Sequence, residues 1–140
     1  MRLLFDTNVL LDVLLKRQPH AVVAAQLLSK ADVGALDGVV CADALTTVDY
    51  VAAKVIGPRA SRRMLDELLR ICSVAPVDRA VLERALRLDL PDFENALVHE
   101  AARAAGAEAI VTRDTEGFSR GSIPALHPLE LLSTLAVATD

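Results

Sequence analysis

Short apolar segments alternate with longer amphipathic segments along almost the whole chain, and this alternation limits the possible folds. Strands buried on both faces are predicted at 2–6, 37–41, 71–75, 108–112 and 123–126. Helical periodicity predicts helices at 8–16, 20–31, 43–56, 59–70, 79–88, 92–105 and 128–138. Alternating strands and helices favour a parallel sheet covered by helices on both faces. We therefore expect an α/β fold, a three-layer α/β/α sandwich with a mainly parallel sheet.

Length and composition indicate one globular domain, which we expect to span residues 1–140. Hydrophobic residues make up 53% of the chain, yet no apolar run approaches the length of a membrane span. The first residues form a strand pattern rather than a signal peptide, so we expect a cytoplasmic protein with no membrane association. A net charge of −4 disfavours a general nucleic-acid coat protein. It is compatible with an enzyme that holds nucleic acid through a local basic patch.

Prolines and acidic residues predict several helix starts. Pro19, Pro58 and Pro128 suit positions in a first helical turn, where the missing N–H costs little. Asp43 and Asp78 are predicted to cap the helices that follow them.

Three acidic residues are predicted to reach the same kind of position. Asp6 ends the first strand, Asp92 begins a helix, and Asp114 follows the fourth strand. In open α/β sheets, ligands bind beyond the carboxyl ends of the strands. Each residue has a simpler interpretation, because Asp6 and Asp92 suit helix caps and Asp114 suits a turn. Three such coincidences at one edge favour a shared site.

A cluster of carboxylates predicts a divalent cation. Like charges held together are unfavourable unless a cation neutralises them. Oxygen ligands suit Mg²⁺ or Mn²⁺, and both ions accept phosphate oxygens from a substrate. We therefore predict Asp6, Asp92 and Asp114 as metal ligands, and metal-assisted cleavage of a phosphodiester as the reaction.

Polar neighbours of these acids are further candidates. Asn95 lies one helical turn after Asp92 and therefore on the same face. Asn8 and Thr112 are placed to orient Asp6 or a metal-bound water, although Asn8 also suits a cap of the first helix. Asp12 is predicted to be exposed.

Three motifs together resemble the PIN domain family, and more narrowly the VapC-type toxins of toxin–antitoxin pairs. They are LLFDTNVLLD at residues 3–12, DFENAL at 92–97 and IVTRD at 110–114. The resemblance implies an α/β/α ribonuclease that depends on Mg²⁺ or Mn²⁺. It also implies RNA substrates such as tRNA or ribosomal RNA, a homodimer and a cognate antitoxin protein.

The chain departs from the family pattern at three positions. Thr47 stands where the family commonly has a glutamate, Asn95 stands at the third family acid, and Gly117 stands where an aspartate often precedes phenylalanine. Asp43 and Asp92 are possible substitutes for the first two. These departures leave open a second interpretation, a catalytically weak or silent module that binds RNA or protein. A phosphatase on the same broad fold is a third interpretation, although its usual DxDxT motif is replaced here by DTNVL.

Overall fold

The computed structural model describes residues 1–139. The strands are β1 (Arg2–Phe5), β2 (Asp37–Cys41), β3 (Ser73–Ala75), β4 (Ala109–Val111) and β5 (Ala125–Leu126). The helices are α1 (Thr7–Leu14), α2 (His20–Asp32), α3 (Ala42–Ile56), α4 (Pro58–Ile71), α5 (Arg79–Arg87), α6 (Phe93–Ala104) and α7 (Pro128–Thr139). A short 3-10 helix, Glu116–Phe118, follows β4.

The five strands form one sheet in the order β3-β2-β1-β4-β5, and every pairing in it is parallel. The register pairs Leu4 with Val39 on one side and with Ile110 on the other. Because all strands run in the same direction, their carboxyl ends meet at one edge of the sheet. Residues that follow β1, β4 and β5 therefore become neighbours.

Alternate residues of the central strands enter two separate cores. Leu3 and Phe5 of β1 pack in the core beneath α1, α2, α4 and α7. Leu4, between them, packs in the opposite core with α5 and α6. Both cores are closed, since Leu3, Leu4 and Phe5 are each 0% exposed. The predicted three-layer α/β/α sandwich is confirmed, and the sheet is parallel throughout.

The strand β2 has its predicted bounds, 37–41, and most other element boundaries differ from the predicted ones by one to a few residues. The strand predicted at 71–75 starts at Ser73, because α4 continues to Ile71. Each predicted helix has an observed counterpart, whereas the 3-10 helix at Glu116–Phe118 was not predicted.

The helix starts confirm some predictions and correct others. Pro58 and Pro128 are the first residues of α4 and α7, and the Asp78 carboxylate caps α5 through the Val81 N–H. Pro19 lies one residue before α2, at its N-cap, rather than in its first turn. The predicted Asp43 cap is wrong: α3 already begins at Ala42, so Asp43 lies within the first turn.

No helix among residues 1–139 is long and apolar enough to span a membrane.

Candidate active site

Asp6 lies at the junction between β1 and α1, almost wholly buried at 6% exposure. Its Oδ1 accepts a hydrogen bond from the Thr7 N–H at 2.8 Å and so caps α1. Its Oδ2 accepts one from the Thr112 hydroxyl, also at 2.8 Å. The backbone N–H of Asp6 donates to the Val111 carbonyl at 2.9 Å, which ties the residue to the end of β4. Asp6 is therefore held from both strands.

The Thr112 hydroxyl is a junction that links the acidic residues. It donates to Asp6 and accepts from the Asn8 Nδ2 at 3.1 Å and from the Asp114 N–H at 3.0 Å. Asn8 extends this network, because its Oδ1 accepts from the Arg113 N–H at 3.1 Å. Thr112 is 0% exposed, so water does not compete for these bonds. Asn8 and Thr112 thus orient Asp6 and the loop after β4.

Asp114 and Asp92 meet through Asn95. The Asp92 Oδ1 accepts from the Asn95 N–H at 3.1 Å and caps α6. The Asn95 Nδ2 in turn donates to the Asp114 Oδ2 at 3.3 Å. The Asp114 Oδ1 accepts from the Gly117 N–H at 3.1 Å. The side chain of Asn95 therefore bridges α6 and the loop after β4.

Gly117 is packed closely against this bridge. A Cβ atom at this position would lie 2.6 Å from the Asn95 Nδ2 and nearer still to the Asp114 carboxylate. Such a contact cannot form unless one of these side chains moves. The glycine at a position that is often acidic in the family thus leaves room for the Asn95–Asp114 bond.

Glu94 is a further acidic residue of the site. Its carboxyl group lies within electrostatic range of Asp92, Asp6 and Asp43, and the nearby Thr47 side chain opposes the rise that these charges cause in its pKa. Glu94 was not predicted from the sequence, where Asp43 was the candidate to substitute for the glutamate that Thr47 replaces. The available signal was that Glu94 follows Asp92 by two residues, in the first turn of a helix that begins at the same sheet edge. Glu94 therefore brings a carboxylate to the position where the family glutamate is replaced by Thr47.

Burial and like charges act together on the carboxyls of the site. Burial raises the pKa of Asp6 above its ordinary value, and the negative charges of Asp114 and Asp92 raise it further. Hydrogen bonds from Thr112 and Thr7 oppose this increase. Burial also raises the pKa of Glu94, with repulsion from Asp92, Asp6 and Asp43 adding to the effect. The site thus concentrates negative charge that a cation would offset.

A buried ion-pair network supports the site from behind. Asp12 is 1% exposed, so the prediction that it is exposed was wrong. Its carboxylate accepts from the Arg113 Nε at 2.7 Å and from the Arg17 Nε at 2.9 Å. Arg17 also donates to the Asn8 carbonyl at 3.2 Å. Asp12 thereby ties α1 to the residue that precedes Asp114.

The donor set of the site suits a hard cation that keeps part of its water shell. Among residues 1–139, no three Asp, Glu, His or Cys side chains are already arranged to hold a metal ion. Mg²⁺ commonly takes only one or two carboxylates and fills the rest of its shell with water. Next to Asp6, the Thr7 hydroxyl oxygen is buried without a hydrogen-bond partner, so it can bind a water. The residues present therefore fit Mg²⁺ or Mn²⁺ bound partly through water.

The structure thus places the predicted site residues at one sheet edge. Asp6, Asp92 and Asp114 lie within electrostatic range of one another, and Asn95 and Thr112 connect them. Their roles as metal ligands and catalytic groups stay predictions.

Sequence comparison identifies a family and a relative. A family model described as PIN domain matches residues 2–116. Ribonuclease VapC1 of Aquifex aeolicus is 25% identical over 119 residues, which cover 81% of this chain and 82% of the relative.

Structural comparison gives the same fold. VapC20 of Mycobacterium tuberculosis, described as a sarcin-ricin loop cleaving toxin, superposes with a TM-score of 0.68 at 17% identity. The match covers 85% of this chain and 95% of that toxin. A toxin–antitoxin complex from Klebsiella pneumoniae gives a TM-score of 0.68 at 21% identity over 89% of this chain and 96% of that one. At these identities the likeness establishes the fold.

Proposed function

The chain belongs to the PIN domain family, and on that premise we propose that it is a metal-dependent endoribonuclease, the toxin of a toxin–antitoxin pair. The observation that carries this proposal is the meeting of Asp6, Asp92 and Asp114 at the carboxyl edge of the sheet. The 25% identical relative is named a ribonuclease, and a structural neighbour is named a sarcin-ricin loop cleaving toxin. Both names support RNA as the substrate, and the family resemblance implies tRNA or ribosomal RNA.

In this proposal Asp6 is the principal ligand of Mg²⁺ or Mn²⁺, and Asp92 and Asp114 complete the metal site directly or through water. The bound ion would activate a water and stabilise the charge that develops on the attacked phosphate. Thr112 and Asn8 keep the Asp6 carboxylate in place, because both contact its Oδ2. This rigidity lowers the reorganisation needed during the reaction.

Glu94 supplies the charge that the chain lacks at position 47. Thr47 has no charge, but its side chain lies close to the Glu94 carboxylate and favours its ionised form. We therefore assign to Glu94 the work of the usual family glutamate, which is to orient a metal-bound water or to ligate the ion. Asn95 is also assigned a role, although it carries no charge. Its side-chain amide holds Asp114 in the site.

A protein partner is the second part of the proposal. We propose a homodimer and a cognate antitoxin, supported by the family resemblance and by the toxin–antitoxin complex among the structural neighbours. Helices α3 and α4 expose apolar side chains that a partner would cover, with Tyr50 65%, Val55 67% and Leu69 48% exposed. Light scattering of the chain alone tests the dimer.

Cleavage of total RNA in the presence of Mn²⁺, with mapped cut sites, tests the enzymatic function. We expect wild-type protein to cut at defined sites, and both chelation and Asp6→Asn to abolish cutting. Asp66→Asn is the matched control, because Asp66 is a carboxylate with 66% side-chain exposure on α4, where it pairs with Arg70. Unchanged cleavage by folded Asp6→Asn protein would refute the proposed site.

A silent RNA-binding or protein-binding module is the second candidate. It is favoured by the neutral Asn95 and by the lack, within residues 1–139, of a ready-made group of three ligands. Calorimetric titration with Mn²⁺ separates the two functions. Saturable binding that Asp6→Asn removes supports the enzyme, whereas no saturable binding and no cleavage support the silent module.

A further inference from the structure

A small pocket lies beside the acidic site, beyond the carboxyl ends of β4 and β5. Its walls include Arg113 and two histidines, His20 and His127, together with the apolar Val23 and Leu129. Its volume is about 220 Å³. This is below the ~300–1,000 Å³ of pockets that take drug-sized ligands, so it suits one small planar group.

Arg113 lines this pocket with a guanidinium group whose orientation is fixed by Asp12. Its Nε and one terminal nitrogen donate to the two oxygens of Asp12, at 2.7 and 3.1 Å. This two-point contact holds the plane of the guanidinium group. Arg17 pairs with the same carboxylate, so the two arginines carry one more unit of charge than the Asp12 that they share. The chain as a whole is negative.

His127 offers a directed donor at the edge of the pocket. Its Nδ1 accepts a hydrogen bond from the Leu129 N–H at 3.2 Å. A neutral imidazole that accepts at one nitrogen carries its proton on the other. The Nε2–H of His127 can therefore donate to a ligand.

These features together fit a nucleobase. A base has two apolar faces, which Val23, Leu129 and the guanidinium plane can cover, and polar edges, which the histidines can contact. Bases splayed from single-stranded RNA stack on arginine planes in this way. A phosphate would fit less well, because apolar side chains supply most of the wall and Asp12 already occupies two donors of Arg113.

The position of the pocket relates it to the site of cleavage. Arg113 directly precedes Asp114, and His127 follows β5, which pairs with β4. The pocket thus lies at the same edge of the sheet as the carboxylates, where an RNA strand with a phosphate at these acids would bring a neighbouring nucleotide. We propose that this pocket receives a nucleobase next to the scissile phosphate and sets the nucleotide preference of cleavage. The proposal rests on the ribonuclease function proposed above.

Binding of small fragments tests the pocket without any need for catalysis. Amide resonances of residues 20–23, 127 and 129 are followed in nuclear magnetic resonance spectra, with a chelator present, during titration with nucleosides and with ribose 5-phosphate. We expect a nucleoside to shift these resonances and ribose 5-phosphate not to shift them. Equal shifts with ribose 5-phosphate would indicate an anion site and overturn the proposal. Shifts that follow the protein concentration and not the nucleoside concentration would indicate self-association and would overturn the proposal too. The absence of shifts with any nucleoside would have the same consequence.

Two variants separate the pocket from the reaction. Val23→Phe fills the pocket, and Val22→Phe is its matched control, because Val22 is the neighbouring residue on α2 and is 56% exposed. We expect Val23→Phe to weaken nucleoside binding about tenfold, the loss of roughly one stacking contact. His127→Ala removes the imidazole donor without adding bulk, and it should also weaken binding, which keeps the pocket testable where Val23→Phe fails to fold.

The same variants are then compared by their mapped cut sites in RNA. We expect Val23→Phe protein to lose the nucleotide preference at one position beside the cut, whereas Val22→Phe protein keeps this preference. Unchanged preference in folded Val23→Phe and His127→Ala would refute the pocket while leaving the ribonuclease function intact. Nucleoside binding without any RNA cleavage by wild-type protein would refute the ribonuclease function and, with it, the assignment of this pocket to cleavage.

Discussion

Replacing Arg113 with methionine tests the buried network behind the acidic site. The substitution removes two of the three hydrogen bonds that arginine side chains donate to Asp12. The Asp12 Oδ2 then loses its arginine donor in a residue that is 1% exposed. Methionine keeps most of the apolar stem, so the change is mainly one of charge and hydrogen bonding.

The expected cost follows from these contacts. A hydrogen bond to a charged group contributes about 1.5–3 kcal/mol, so two of them give about 3–6 kcal/mol. Arg113 retains 29% side-chain exposure, and Arg17 still neutralises the carboxylate, which places the result at the lower end. We expect Arg113→Met to lower the free energy of unfolding by about 3 kcal/mol, in line with the loss of one partner of a buried ion pair.

Urea unfolding followed by far-ultraviolet circular dichroism measures this cost, since the chain has one tyrosine and no tryptophan to report by fluorescence. Arg120→Met is the matched control, because the Arg120–Asp89 pair is 3.3 Å long and its side chains are 65% and 88% exposed. It should cost less than about 1 kcal/mol. Adding Asp12→Asn to Arg113→Met should recover part of the loss, because the buried carboxylate, which then has only Arg17 as a partner, is replaced by a neutral amide. Equal stabilities of the two single variants would refute this reasoning.

Three further predictions concern the acidic site. Gly117→Ala should lower the rate of RNA cleavage by up to about 100-fold, because its Cβ displaces the Asp114 carboxylate; a rate equal to wild type would contradict this. Asp6→Asn should be more stable than wild type at neutral pH in a chelator, as measured by urea unfolding. Burial raises the pKa of Asp6 above 3.8 in the folded protein. The ionised carboxylate therefore costs stability as the pH rises from 3.8 through the folded-state pKa. The gain in stability from Asp6→Asn should accordingly vanish as the pH falls towards 3.8. A gain that is independent of pH would count against this. Glu94→Gln should slow cleavage, and adding Thr47→Glu should restore part of the rate; no recovery would remove Glu94 from its assigned role.

The fold was predictable because its signals are local in sequence. Buried parallel strands are short apolar segments, and the helices between them show their own periodicity. Boundaries were less certain where two signals overlap. Ile71 and Cys72 are apolar enough for a strand, yet Ile71 completes the last turn of α4 and Cys72 is its C-cap.

The parts of the site that escaped prediction depend on contacts between distant elements. Asp12 has the sequence surroundings of a surface residue within α1, and its burial depends on Arg113, which is 101 positions away. Glu94 has those of an ordinary first-turn acid of α6, and its proximity to Thr47 depends on how the fold brings the start of α6 near α3. A charged residue is buried only where the fold brings a partner, and the partner cannot be identified from its own neighbours in sequence.

Capping and function are compatible in the three aspartates, because each uses one oxygen for the backbone. The Oδ1 atoms of Asp6, Asp92 and Asp114 accept from the N–H groups of Thr7, Asn95 and Gly117, respectively. Each bond fixes the direction of a carboxylate, and the second oxygens of Asp6 and Asp114 are held by the side chains of Thr112 and Asn95. The local hydrogen bonds that made a simple cap a reasonable alternative are therefore what keeps like charges together before any cation binds. The fold thus holds the carboxylates together against their mutual repulsion before a cation binds. Such an arrangement is the condition for a preorganised catalytic centre.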